Sequence, residues 1–115
     1  MDITNDKKIA DIQREFSEKF PNLKIEFYKK PHETGEGSKE ELKHNPKSTI
    51  GEIRRKDSEG DLSIHGNLKV ETLEANFQEQ FGLSAQVFRK SGNVWLQTTK
   101  TDDWTLSEQN ERGAS

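Results

Sequence analysis

The chain contains no cysteine, which excludes a disulfide framework, a thiolate nucleophile and a Cys-based zinc site. No stretch approaches the ~20 apolar residues that cross a bilayer. Met1 to Lys8 is polar and charged, without the apolar segment of a secretory leader. The expected location is therefore the cytoplasm, with no membrane partner. Large apolar side chains are also scarce: Leu, Ile, Val and Phe number 24 of 115 residues, and mean hydropathy is −1.09. That is just enough for one small core and too little for two, so the expectation is a single domain over 1–115. A core this modest gains stability by burying apolar area against a copy of itself or another protein. The net charge of −3 argues against a protein whose affinity rests on broad phosphate neutralisation.

What apolar residues there are fall into strict periods. Ile9, Ile12, Phe16 and Phe20 are spaced 3, 4 and 4, the stripe of an amphipathic helix, with Thr4 or Asn5 as candidate cap and Pro21 as the stop. Leu23, Ile25 and Phe27 then alternate with polar neighbours, as in a half-buried strand. The same order returns 61 residues later. Val70, Leu73, Phe77 and Phe81 repeat the 3, 4, 4 spacing, Gly82 stops the helix, and the strand Leu83 to Lys90 matches Leu23 to Lys30 down to its aromatic, basic, basic ending. An internal duplication of a helix and strand unit is the expectation.

Elsewhere the periods are weaker. Ser91-Gly92 is read as a two-residue hairpin loop, which sets Val87 against Leu96, Ala85 against Thr98 and Phe88 against Trp95. Thr49 to Arg55 and Asp61 to His65 read as short strands. Residues 31–48 hold one strongly apolar side chain, Leu42, and are expected to form a mobile loop. Thr105-Leu-Ser-Glu108 has the spacing of a capping box and starts a short helix, with residues 109–115 expected to fray. The resulting fold class is α+β: a two-layer sandwich with two amphipathic helices on one face of a mainly antiparallel sheet.

Signals for catalysis are poor. His32, His44 and His65 lack metal-ligand spacing, and Gly35-Glu-Gly37 lacks the further glycine, lysine and hydroxyl of a phosphate cradle. Asp102 and Asp103 could offer a hard cation oxygen atoms together with Thr99 and Thr101, but neighbours on a strand point to opposite faces and a polar turn explains them better. No nucleophile motif occurs, and no cofactor, metal or catalytic residue is assigned.

The constellation that stands out is the sheet face turned away from the helices. Alternation places Tyr28, Phe88 and Trp95 there, and Lys30, Arg89 and Lys90 lie beside them, an aromatic and basic surface. Trp104 and Leu106 from the C-terminus are candidates to cover it. If they do not, the surface suits a protein partner, self or other, with aromatic anchors and a charged rim. A less favoured reading is single-stranded nucleic acid stacked on the rings. Tyr28, Lys30, Phe88, Arg89, Lys90, Trp95 and Trp104 are thus the candidate interaction residues of a small non-enzymatic association module, expected to self-associate through this face or through a free strand edge that could take a strand from a partner.

Overall fold

A computed structural model describes residues 1–31 and 37–113. The elements run β1 (Asp2–Ile3), α1 (Ile9–Lys19), β2 (Leu23–Tyr28), α2 (Ile50–Ile53), β3 (Gly60–Asp61), α3 (Val70–Phe81), β4 (Ser84–Ser91), β5 (Val94–Gln97) and α4 (Leu106–Gly113), with 3-10 turns at Glu40–Leu42 and Thr99–Thr101. The main sheet has the order β2-β4-β5 and is antiparallel throughout, and β1 pairs with β3 in a separate two-stranded ribbon. The chain is an α+β sandwich, as the periodicities imply.

Both long helices bury their stripes on one side of the sheet. Ile9, Ile12 and Phe16 of α1 and Val70, Leu73 and Phe77 of α3 are fully buried, as are Leu23, Ile25, Phe27 and Val87 from the inner side of the sheet. The rings of Phe27 and Phe77 meet edge to face at 5.2 Å, a favourable arrangement for aromatic quadrupoles. α4 packs on the same layer: Leu106 joins the core. Asn110 fixes the start of β2, taking the Asn22 amide N–H on its Oδ1 at 2.9 Å.

α3 ends as its glycine requires. Gly82 adopts φ +65°, its N–H bonds the Gln78 carbonyl at 3.0 Å, and the Leu83 N–H bonds that of Phe77 at 3.2 Å. A left-handed residue of this kind caps orphan carbonyls at a helix end at no steric cost to glycine.

The helix starts are solved in an unusual way. A helix leaves its first amide N–H groups without intrahelical partners, and here the helices supply each other in pairs. Ile9 and Ala10 of α1 donate to the carbonyls of Ser48 and Pro46, while Ile50 and Gly51 of α2 donate back to Lys7 and Asn5. In the same manner Val70 and Glu71 of α3 donate to Trp104 and Asp102, while Leu106 and Ser107 of α4 donate to Leu68 and Gly66. All eight bonds lie between 2.7 and 3.0 Å. This reciprocity explains how α2 exists with only four residues, far below the length at which a helix holds itself. It also corrects the expected cap of α1, which is Lys8 and not Thr4 or Asn5.

Three further expectations are corrected. Thr49 to Arg55 is not a strand: Thr49 and Glu52 form a capping box, with the Thr49 N–H donating to Glu52 Oε1 at 3.2 Å and the Glu52 N–H to Thr49 Oγ1 at 3.4 Å. Of Asp61 to His65, only Asp61 is in a strand. It pairs with Asp2 and accepts a bond from the N-terminal ammonium at 2.9 Å. The β4–β5 hairpin turns at Gly92-Asn93 and not at Ser91-Gly92, so the pairs are Ser91 with Val94, Lys90 with Trp95, Arg89 with Leu96 and Phe88 with Gln97. Gly92 at φ +60° supplies the positive φ that a tight hairpin turn demands.

Within 31–48, residues 32–36 lie outside the described residues. The remainder carries the 3-10 turn at Glu40–Leu42 and two bonds to β2: the Lys29 N–H donates to the Leu42 carbonyl and the His44 N–H to that of Phe27, at 2.7 and 2.8 Å. α4 continues through 109–113.

Candidate interaction surface

Pairing fixes which side chains share the outer face. Lys24, Glu26 and Tyr28 of β2 stand opposite Phe88, Gln86 and Ser84 of β4, and Trp95 and Gln97 of β5 stand opposite Lys90 and Phe88. Tyr28, Phe88 and Trp95 therefore do occupy the face away from the helices, but they do not form an open platform. Tyr28 is 3% exposed and Phe88 7%, against 39% for Trp95.

The cover is neither Trp104 nor Leu106. Chain from the 31–48 stretch crosses the outer face instead. The Ser38 N–H donates to Gln97 Oε1 at 2.8 Å and the Ser38 carbonyl accepts from Gln97 Nε2 at 2.9 Å, so the glutamine amide mimics a strand partner. Ser38 Oγ bonds Gln86 Oε1 at 3.1 Å, and Lys43 bridges to Tyr28 in the backbone and to Glu26 by an ion pair of 3.8 Å. Under this strap the Tyr28 hydroxyl has no hydrogen-bond partner among the described residues. Burial, and then the carboxylates of Glu26 and Glu40, push its phenol above the ordinary value of 10.0.

Trp104 sits elsewhere. Its ring lies 5.7 Å from the Arg89 guanidinium and 5.5 Å from that of Arg112. Arg89 also donates to Gln109 Oε1 at 2.7 Å, and the buried Gln109 amide spends its own protons on the carbonyl and hydroxyl of Thr101. Arg89 and Trp104 are thus parts of the seam between α4 and the sheet. Lys30 and Lys90 are both exposed.

What remains open is β5. Val94, Trp95 and Leu96 are 56%, 39% and 43% exposed, the large apolar side chains most open to solvent among the described residues. On the outer side Lys24 Nζ lies over both aromatic rings, 5.0 Å from Phe88 and 5.2 Å from Trp95. On the inner side Val94 and Leu96 stand opposite Ser91 and Arg89 and remain exposed. The strand's hydrogen-bonding edge is open as well. The Thr98 N–H reaches the Val87 carbonyl at 3.2 Å, which sets the alternation of the antiparallel ladder: Leu96 and Val94 bond to β4, while the main-chain groups of Trp95 and Gln97 point the other way. Among the described residues nothing bonds them there.

Sequence reasoning missed Val94, Leu96 and Lys24. A signal existed. Three consecutive apolar residues on a two-faced strand cannot all point to one core, so Val94-Trp95-Leu96 predicts exposure on at least one side whatever the register.

A cleft of about 150 Å³ lies between α3 and β4, lined by Glu71, Glu74, Gln78, Ser84 and Asp102 among others. Glu74 accepts the Val87 N–H at 3.0 Å, at the point where β5 has left the ladder. Asp102 lends its carbonyl to α3, and no group of three His, Asp or Glu among the described residues is placed to hold a metal ion. No helix among the described residues is long and apolar enough to cross a membrane. The fold and its open strand define a small α+β domain whose main sheet has, among the described residues, an unpaired edge at β5. Comparison with protein-family models, with curated proteins and with solved structures gives no match.

Proposed function

We propose that this chain is a protein-docking module whose working surface is the edge strand β5. A partner adds an extended segment to β5, bonding the outward main-chain groups of Trp95 and Gln97 and covering Val94, Trp95 and Leu96. The observation that carries this is the coincidence of two exposures on one strand: a ladder edge without a partner among the described residues and three large apolar side chains. Proteins ordinarily blunt such edges with short strands, charge or a covering loop, because an open apolar edge templates association. The opposite side of the same sheet has that protection, since Leu42 to His44 caps β2 with Lys43 at its centre. Stacking of single-stranded nucleic acid is less well supported, as Tyr28 and Phe88 are buried and, of the three outer-face aromatics, leave Trp95 alone accessible.

A duplicated origin fits the same picture. The reciprocal helix starts occur twice with matching bonds, the His44 to Phe27 bond has its counterpart in Thr98 to Val87, and Glu26 pairs directly with Gln86, its equivalent 60 residues on. On this view β5 and the stretch around Lys43 are equivalent edges. One is closed and the other is kept for a partner.

A photo-crosslinking amino acid placed at position 96 in the native host tests the docking surface, with the same group at the exposed Ser63 as control. Adducts at 96 well above those at 63, whether of doubled mass or with another protein, are expected. Equal yields at the two positions overturn the proposal.

A further inference from the structure

We propose that the segment received by β5 is an acidic one from another protein, in which Asp or Glu alternates with apolar residues; this rests on β5 being the docking edge. The chain as a whole is acidic, but its charge is unevenly placed. Residues 80–101, which hold β4 and β5, contain Arg89, Lys90 and Lys100 and no Asp or Glu. They carry +3, so with −3 for the whole chain the remainder carries −3 − 3 = −6. The two strands at the open edge thus carry net positive charge within an acidic chain, and Lys24 of β2, paired with Glu26 at 3.6 Å, seats its ammonium on the Trp95 ring.

An added strand lies about 4.8 Å beyond β5. Lys90 faces Trp95 from the row behind it, and long side chains reach diagonal neighbours across a sheet. Carboxylates on the outer face of the incoming strand therefore come within reach of the exposed Lys90 beside the indole. Apolar residues of the same strand fall on the other face against Val94 and Leu96. The alternation follows from the strand period of two and from the two chemically different sides of β5. A second copy fits less well, because it brings to this edge the same cations and no carboxylate.

Full-length protein is titrated into dye-labelled ten-residue peptides in which Glu alternates with Val and Ile, followed by anisotropy at low and at physiological salt. A peptide with Lys in place of Glu, and an acidic one with proline at alternate positions, serve as comparisons. The acidic peptide is expected to bind one to one and to weaken as salt rises, since the charges are exposed and screened. The Lys peptide should bind at least about tenfold less, and the proline peptide, which cannot donate to a ladder, should not bind. Lys90→Glu with Lys100→Glu, both exposed positions, should reverse the preference without altering the fold. Equal binding of the acidic and Lys peptides, with Trp95 and Gln97 amides protected by both, overturns the charge preference and leaves β5 as a docking edge. Protection that appears without peptide as the concentration is raised, with a dimer in sedimentation, places a second copy there and also overturns it. Failure of every peptide to bind, with those amides unprotected at all concentrations, removes both proposals.

Discussion

Tyr28 shows how much a single buried group reveals about its surroundings. Its ring fills the space under the strap at Ser38 to Lys43, but its hydroxyl is closed in without a partner among the described residues, a state that costs the desolvation of a polar group and returns no bond. Tyr28→Phe should therefore leave stability unchanged or raise it by up to about 1 kcal/mol, where removal of a satisfied hydroxyl would lower it. Chemical denaturation of the two proteins at neutral pH decides between these. The ionisation has a definite sign too. The folded phenol is shifted above 10.0, so below pH 10 both states keep the proton, and above it the unfolded chain loses its proton first. Stability then falls as pH rises past 10, and Tyr28→Phe should remove that part of the decline. As the chain has one tyrosine, absorbance at alkaline pH reads it directly. Sequence alternation put Tyr28 on the correct face. It could not show the cover, because the chain that covers it is polar and attached through Ser38 and Gln97, whose contacts no periodicity encodes.

At the scale of elements, boundaries rest on a few backbone and capping residues. Gly82→Ala forces a left-handed conformation on a residue with a Cβ, and that Cβ meets Arg55 Cβ at 2.8 Å and the Lys56 nitrogen at 2.9 Å. The conformation alone costs about 1–2 kcal/mol, so the variant should lose more than that in an unfolding titration; a loss under about 0.5 kcal/mol would contradict the packing described at the end of α3. The starts of α2 and α4 depend on carboxylates. The main-chain N–H of Thr49, and after it the threonine hydroxyl, hold Glu52 below its ordinary value of 4.5, and Thr105 does the same for Glu108. A lowered carboxyl contributes stability that is present above pH 4.5 and is lost as pH falls through the folded value. Glu52→Gln together with Glu108→Gln should flatten that acid limb in a series of melts between neutral pH and pH 3. An unchanged slope would mean that the boxes do not contribute. Both boxes have the same Thr-x-x-Glu spacing, and only the second was legible as a helix start. Around Thr49 the sparse apolar residues Ile50 and Ile53 among charged neighbours resemble a strand, and the short helix exists because the segment leading into α1 lends it the carbonyls of Lys7 and Asn5. That is a tertiary effect, outside the reach of local pattern.

Over the whole molecule, hydrophobic periodicity carried the layers: the stripes of α1 and α3 and the inner rows of β2 and β4 are where their spacing puts them. The hairpin register was lost to a local choice between Ser91-Gly92 and Gly92-Asn93. The expected register put Leu96 inside opposite Val87, as burial arguments prefer. The observed one sets Leu96 opposite Arg89, where it is 43% exposed. The sequence breaks the rule of apolar residues inside at Val94, Trp95 and Leu96, and such a departure marks a place where stability yields to another demand. On the reading proposed above, association through β5 is that demand. The most direct measurement is amide hydrogen exchange along β5 in dilute protein and again with a saturating partner segment. Leu96 should be protected in the free protein while Trp95 and Gln97 exchange freely, and both should become protected once the segment is bound. Trp95 and Gln97 amides as slow as Leu96 in the isolated chain, or unchanged on binding, would contradict an open edge that receives a strand.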